Sequence, residues 1–171
     1  MPGSARDAVD AIIDQWAAER PDVDVSAIAV IGRISRLEKR LASELARVFA
    51  LHGLEHWEYD VLATLRRSGA PFELTVGEML ESMMLASGTI SHRIDRLEGR
   101  GLVERRPDPN DGRVVRVRLS RTGKTLVERA LVDHAANEER LLSGLSSRER
   151  EQLAALLRRL QVTVDALPTT E

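Results

Sequence analysis

Apolar residues recur at helical spacing through most of this chain. Val9, Ile12, Ile13 and Trp16 fall on one stripe and predict a helix over residues 5 to 19, ended by Pro21 and the acidic run "PDVD". Ile31, Ile34, Leu37, Leu41, Leu45 and Val48 form a longer seam. They predict a helix from Ser26, which can cap it, to His52, with Gly53 as its stop. "EHWEYDVLATLRRSG" reads as a third helix, closed by Gly69 and Pro71. "LTVGEML" opens a fourth, where Thr75 and Glu78 have the spacing of a capping box. Ser87 is a candidate cap for a fifth, "GTISHRIDRLEGR", with Ile90, Ile94 and Leu97 turned inward and Gly101 ending it. The period then changes. "LVERR" and "RVVRVRLS" alternate as strands do around the turn "PDPNDG". Helical spacing returns over Arg121–Leu142 and Ser147–Leu167, with Ser146 and Glu149 forming a second box. The tail "PTTE" is expected to be disordered.

Composition narrows the chemistry. With 171 residues and 43% apolar side chains the chain can bury a core, and with 3% aromatics that core is mostly aliphatic. There is no cysteine, which excludes disulfides, thiolate metal sites and thiol redox switching. No apolar run is long enough to span a membrane, and "MPGSARDAVDAIIDQW" lacks the character of a signal peptide, so a cytoplasmic protein without a membrane partner is expected.

The net charge is -2, but it is unevenly spread. Between Ser87 and Lys124 ten Lys or Arg stand against five acids, an excess of +5 in an otherwise acidic chain. That asymmetry fits a polyanion-binding face, or a chance cluster of solvated charge.

The order helix, turn, helix, basic hairpin is that of a winged helix-turn-helix, a mainly α fold with a small β wing. With Ile90, Ile94 and Leu97 inward, Ser87, Thr89, Ser91, His92, Arg93 and Arg96 are left outward or flanking. Short hydroxyl side chains let a helix lie deep in the major groove of double-stranded DNA, and arginine reaches guanine edges or phosphates. The hairpin places Arg113 to enter a minor groove, and Arg116 and Arg118 near the backbone. Asp111 is positioned to pair with Arg113.

"LASGTISHRIDRLEGRGLVERRPDPNDGRVVRVRLSRTG" resembles the core of the MarR family of bacterial transcription regulators. The residues that carry the resemblance are Asp111 and Arg113 at the wing tip, the run R-L-E-x-x-G-L-V-x-R and the closing L-S-x-x-G. It implies a homodimer with interleaved terminal helices on a pseudo-palindromic operator, with repression the expected mode. Apolar seams at both ends of the chain favour a dimer independently, because one small domain cannot bury them all. The expected domains are 1–54, N-terminal helices for dimerisation and a ligand-cleft wall; 55–120, the winged helix-turn-helix; and 121–171, C-terminal dimerisation helices.

Family members commonly release DNA on meeting a ligand or oxidant, and the lack of cysteine excludes thiol oxidation. An added first helix bearing Trp16, with Asp60, Arg67 and Arg93, resembles the urate-responsive branch, relatives of which also answer to aconitate-like and citrate-like acids. A small anionic ligand is therefore expected. Two arginines can hold a planar anion or a carboxylate, and an indole offers a flat wall. Asp60 and Arg67 lie two turns apart on one helix face, opposite Val61, Leu62 and Leu65. Plainer readings stand beside this one. Trp16 can simply pack, Asp60 and Arg67 can be a solvated face, and Arg93 can contact phosphate only.

No catalytic residues and no cofactor are expected, since the chain has no nucleophile elbow and no glycine-rich phosphate loop. No metal is expected either: Gly53 breaks the helix between His52 and His56, and His134 with Glu138 has no visible third ligand. The remaining alternatives are a winged-helix regulator without a small-molecule ligand, or a protein-interaction module.

Overall fold

A computed structural model describes residues 6–83 and 90–168, in two compact units, 1–56 and 57–171. In the first unit, α1 (Ala8–Glu19) starts on a reciprocal box. Asp7 accepts the backbone N–H groups of Val9 and Asp10, and Asp10 accepts that of Asp7 at 2.8 Å. Those amide bonds hold the Asp7 carboxyl below its ordinary range, with the Arg33 guanidinium adding to them. Arg33 belongs to α2 (Ile28–Ala50) and bonds both carboxylates, which ties the start of α1 to α2. Val9 is the buried residue of α1.

The long helix does not start as expected. Its N-cap is Ala27, with no side-chain cap bond, and Ser26 instead donates its backbone N–H to Asp24 at 2.9 Å. A tight turn feeds the helix, in which the amides of Ile28, Ala29 and Val30 bond carbonyls three residues back, so no hydroxyl cap is needed. At the far end Leu54 donates to the carbonyl of Phe49 over Gly53, and the Phe49 ring stacks on His56.

The second unit carries α3 (His56–Arg67, its first residue at the division), β1 (Glu73–Thr75), α4 (Val76–Met83), α5 (Ile90–Gly99), β2 (Val103–Pro107), β3 (Val115–Leu119), α6 (Arg121–Leu141) and α7 (Ser147–Asp165). The three strands form one antiparallel sheet in the order β1-β3-β2. β2 and β3 are the expected hairpin, registered Arg105 to Val117. β1 was not expected: "ELT" is too short to show alternation, and it becomes a strand by pairing Leu74 with Val117.

The core of this unit is aliphatic, as the composition implies. It joins Val61, Leu62 and Leu65 of α3, Met79 of α4, Ile90, Ile94 and Leu97 of α5, and Val117 and Leu119 of β3. The Thr75–Glu78 and Ser146–Glu149 boxes form as the spacing predicts. Gly101, at φ 67, turns the chain out of α5 so that the Leu102 amide bonds the Leu97 carbonyl. Gly123 answers a different need. A Cβ there would lie 2.1 Å from the Leu102 carbonyl oxygen, so only glycine lets α6 start this close to β2.

None of the side chains of α7 is buried. The apolar stripes on the terminal helices stay open as well, with Ile31, Leu37 and Leu41 exposed on α2. Trp16 is 48% exposed. Ser87, Thr89 and the tail beyond Pro168 lie outside the described residues.

Candidate DNA-contacting surface and ligand residues

Helix α5 is held by its core face and on both flanks. Ile90, Ile94 and Leu97 bury it. Ser91, His92 and Arg96 are exposed and Arg93 is half-buried. On one flank the indole of Trp57, at the start of α3, lies under two of these arginines, 5.5 Å from Arg93 and 5.0 Å from Arg96. Such cation–π contacts contribute about 0.5–1 kcal/mol when exposed and more when dry. The next residue, Glu58, is 1% exposed and accepts from Arg100 at 2.6 Å.

The opposite flank faces β2. Arg105 reaches Asp95 at 2.6 Å and Glu98 through one guanidinium, and a weaker contact at 3.4 Å touches the Ser91 carbonyl. Its backbone N–H also donates to Glu98 at 2.9 Å. That amide, and then the guanidinium, hold the Glu98 carboxyl below the usual carboxylate range.

The wing tip is built on two aspartates. Asp108 accepts the backbone N–H groups of Asn110 and Asp111, at 2.8 and 3.1 Å, and takes Arg116 on its other oxygen at 2.5 Å. Its carboxyl is accordingly lowered, first by the Asn110 amide and next by Arg116. Arg116 also lies 3.8 Å from Glu73 on β1. The guanidinium expected near the DNA backbone is thus turned into the wing, where it braces the turn against the sheet.

Asp111 also acts otherwise than expected. It accepts the backbone N–H of Arg113 at 3.0 Å, rather than pairing with the guanidinium. A carboxylate two residues back closes an Asx turn more readily than it follows a side chain directed outward. Arg113 therefore has a pinned backbone and an exposed guanidinium with no ion pair among the described residues.

The candidate ligand residues of α3 are placed as the spacing implied. Asp60 and Arg67 are exposed, with Val61, Leu62 and Leu65 buried behind them. Arg67 donates to the Ser82 carbonyl at the end of α4, at 2.8 Å, and to Thr64 at 3.3 Å. Arg93 is brought to the same helix through Trp57. Trp16 belongs to the other unit. Among the described residues no cluster of three or more metal-type ligands occurs, and His134 pairs with Glu138 at 3.4 Å.

Sequence reasoning missed Trp57, Glu58 and Arg105. The first two carry no local signal, because their partners lie on a helix distant in sequence. Arg105 sat within the quoted basic run, but strand alternation says only that it faces one side of the sheet, not that α5 passes there.

Residues 54–115, from just before α3 to the start of β3, match the model of the MarR family. Over 153 residues the chain is 39% identical to the transcriptional regulator PecS of Dickeya dadantii, covering 90% of this chain and 92% of that one. The chain belongs to the MarR family. As a MarR-family member it is a DNA-binding transcriptional regulator and not an enzyme. Solved structures agree. Sco5413, a MarR-family regulator from Streptomyces coelicolor, is similar with a TM-score of 0.70 and 28% identity, over 83% of this chain and 97% of that one. BpsR of Bordetella bronchiseptica, whose DNA binding is regulated by 6-hydroxynicotinic acid, is similar with a TM-score of 0.69 and 25% identity, over 77% and 92%. Among the described residues no helix is long and apolar enough to cross a membrane.

Proposed function

We propose that this MarR-family protein is a homodimeric repressor that grips a pseudo-palindromic operator and lets go on binding a small anionic metabolite, a urate-like purine or a citrate- or aconitate-like acid. The observation that carries the reading is Arg93. It stands on the DNA-reading helix, yet its guanidinium rests on Trp57 of α3, the helix that also bears Asp60 and Arg67. An anion held by Arg67 and Arg93 would pull on the recognition helix directly. That BpsR answers to a planar, acidic heteroaromatic supports the planar class of ligand.

On the DNA side, Ser91, His92 and Arg96, together with Ser87 and Thr89 ahead of them, meet the major groove. Arg113 enters the adjacent minor groove. The open apolar faces of α2 and α7 meet a second copy, because faces of this extent rarely stay in water. Trp16, exposed on α1, remains the candidate apolar wall for the ligand.

The test combines melting and gel-shift titration with urate, xanthine, citrate, aconitate and 6-hydroxynicotinate. A true ligand raises the melting temperature and releases DNA. Arg67→Ala should keep DNA affinity and lose the response. If none of these acids shifts melting or release, the protein is a regulator without a ligand of this class. A monomeric mass in sedimentation would refute the paired half-site.

A further inference from the structure

We infer that Arg105 is a positioning residue for DNA recognition, fixing the rotation of α5 and its spacing from the wing. The inference rests on DNA binding and is independent of any ligand. A winged helix reads two grooves with two elements, so helix and wing must be held at one spacing. The core face of α5, at Ile90, Ile94 and Leu97, sets how deep the helix sits. Contacts on its two flanks add to this and fix the rotation about the axis. Arg105 is the residue of the wing strand that reaches along this flank, touching Ser91, Asp95 and Glu98, successive positions on one face of the helix. A planar guanidinium forks to two carboxylates at once, which a lysine ammonium cannot do in the same geometry.

Two features separate positioning from plain structure and from plain charge. The Asp95 side chain is 62% exposed and that of Glu98 39%, and bridges this exposed add little to folding. Charge bookkeeping gives opposite signs for variants of the cluster. Arg105 with Asp95 and Glu98 sums to one negative charge. Arg105→Ala leaves two, but Arg105→Ala combined with Asp95→Asn and Glu98→Gln leaves none. If Arg105 only masked carboxylates from phosphate, the triple variant would bind DNA at least as well as the wild type. If Arg105 orients the helix, the triple variant stays poor.

The experiment uses the full-length protein and a duplex selected from a random-sequence pool by the wild type, against an unrelated duplex of equal length. Melting of each variant within a few degrees of the wild type establishes the fold. Arg105→Ala should lose roughly tenfold of the selected-to-unrelated affinity ratio, about the weight of one good specific contact. The triple variant should lose a similar share, while the salt dependence of its binding to the unrelated duplex keeps the wild-type slope, since Arg105 neutralises no phosphate. Arg105→Lys should recover part of the ratio, and it carries the test should the alanine variant not fold. A wild-type ratio in either the lysine or the triple variant would overturn the proposal.

Discussion

Replacing Gly123 with alanine tests the packing that joins the wing to the C-terminal helices. In an exposed helix this change is usually helpful, by about 0.4–1 kcal/mol, because alanine restricts the unfolded chain and favours helix. Here the new Cβ would lie 2.1 Å from the Leu102 carbonyl oxygen, 3.0 Å from its carbon and 3.1 Å from Leu119 Cδ1. Ordinary contact returns only after roughly 1 Å of backbone movement. The displaced carbonyl accepts the Ser120 amide at 3.1 Å, and Ser120 Oγ caps the Gly123 amide at 2.9 Å, so the shift loosens both. Overpacking costs about 1–3 kcal/mol, and a weakened hydrogen bond and cap roughly 1 kcal/mol each. After the helix gain, a net loss of about 2–4 kcal/mol remains. For a chain of this size that lowers melting by roughly 5–15 °C. Urea and thermal melts at one fixed protein concentration measure it. Gly99→Ala in α5, where a Cβ meets nothing within 4 Å, is the control and should be neutral or stabilising. Gly123→Ala melting at or above the wild type would refute the close approach of α6 to β2.

Leu97→Ala, at a fully buried position of α5, should lower stability by about 2–5 kcal/mol in urea titration. Arg113→Ala should weaken operator binding by roughly 1–3 kcal/mol in gel-shift titration and leave melting unchanged, since its guanidinium pairs with nothing described. Acid should weaken the winged unit in a defined window. Backbone amides and Arg105 lower the folded carboxyl of Glu98, and Thr75 does the same for Glu78, so the unfolded chain takes up protons first as pH falls. That stability is present above the ordinary glutamate value of about 4.3 and is lost below it as pH falls through the folded values. Glu78→Gln with Glu98→Gln should flatten the urea midpoint only slightly between about pH 5 and 3, because Glu78 is exposed and the Glu98 side chain is 39% exposed, so that solvent screens both, and a steeper slope would count against both interactions.

The features legible in the sequence were those that repeat or act locally. The seam Ile90, Ile94, Leu97 and both capping boxes depend on spacing within one turn or two, and all form as read. Alternation around a turn was enough for the hairpin. Features that depend on a distant partner were not legible. β1 is a strand only because β3 lies beside it. Ser26 has the right chemistry for a cap, but Asp24 takes its amide and the helix starts a residue later. The charges of the wing were counted correctly and assigned less well. Arg116 and Arg113 look alike in the sequence, yet Asp108 holds the first and the tip geometry frees the second. Trp57 and Arg105, which grip the recognition helix, could be found only once α5 was placed between them.

Magnitudes decide how such a helix can be switched. Coupling between a ligand and DNA is typically 1–3 kcal/mol. Lifting α5 off its core would expose Ile90, Ile94 and Leu97, at about 1.5–3 kcal/mol for each side chain. A metabolite cannot supply that sum. Some of the flank contacts are cheaper, and the Arg100 bond to buried Glu58 is not among them, so it stays in place. Each cation–π contact on Trp57 is worth about 0.5–1 kcal/mol and the exposed Arg105 bridges about the same or less. Under the proposed ligand role of Arg93, drawing it from Trp57 lies within a ligand's reach, and the helix would answer by a small turn that keeps Ile90, Ile94 and Leu97 buried. Arg105 opposes that turn from the other side. Under the proposed ligand response, a weakened Arg105 clamp should thus lower both the operator affinity and the ligand concentration needed for release, whereas Arg67→Ala should change only the second. Opposite movement of the release concentration in Arg105→Lys, with ligand affinity for the free protein unchanged, would refute rotation as the means of release.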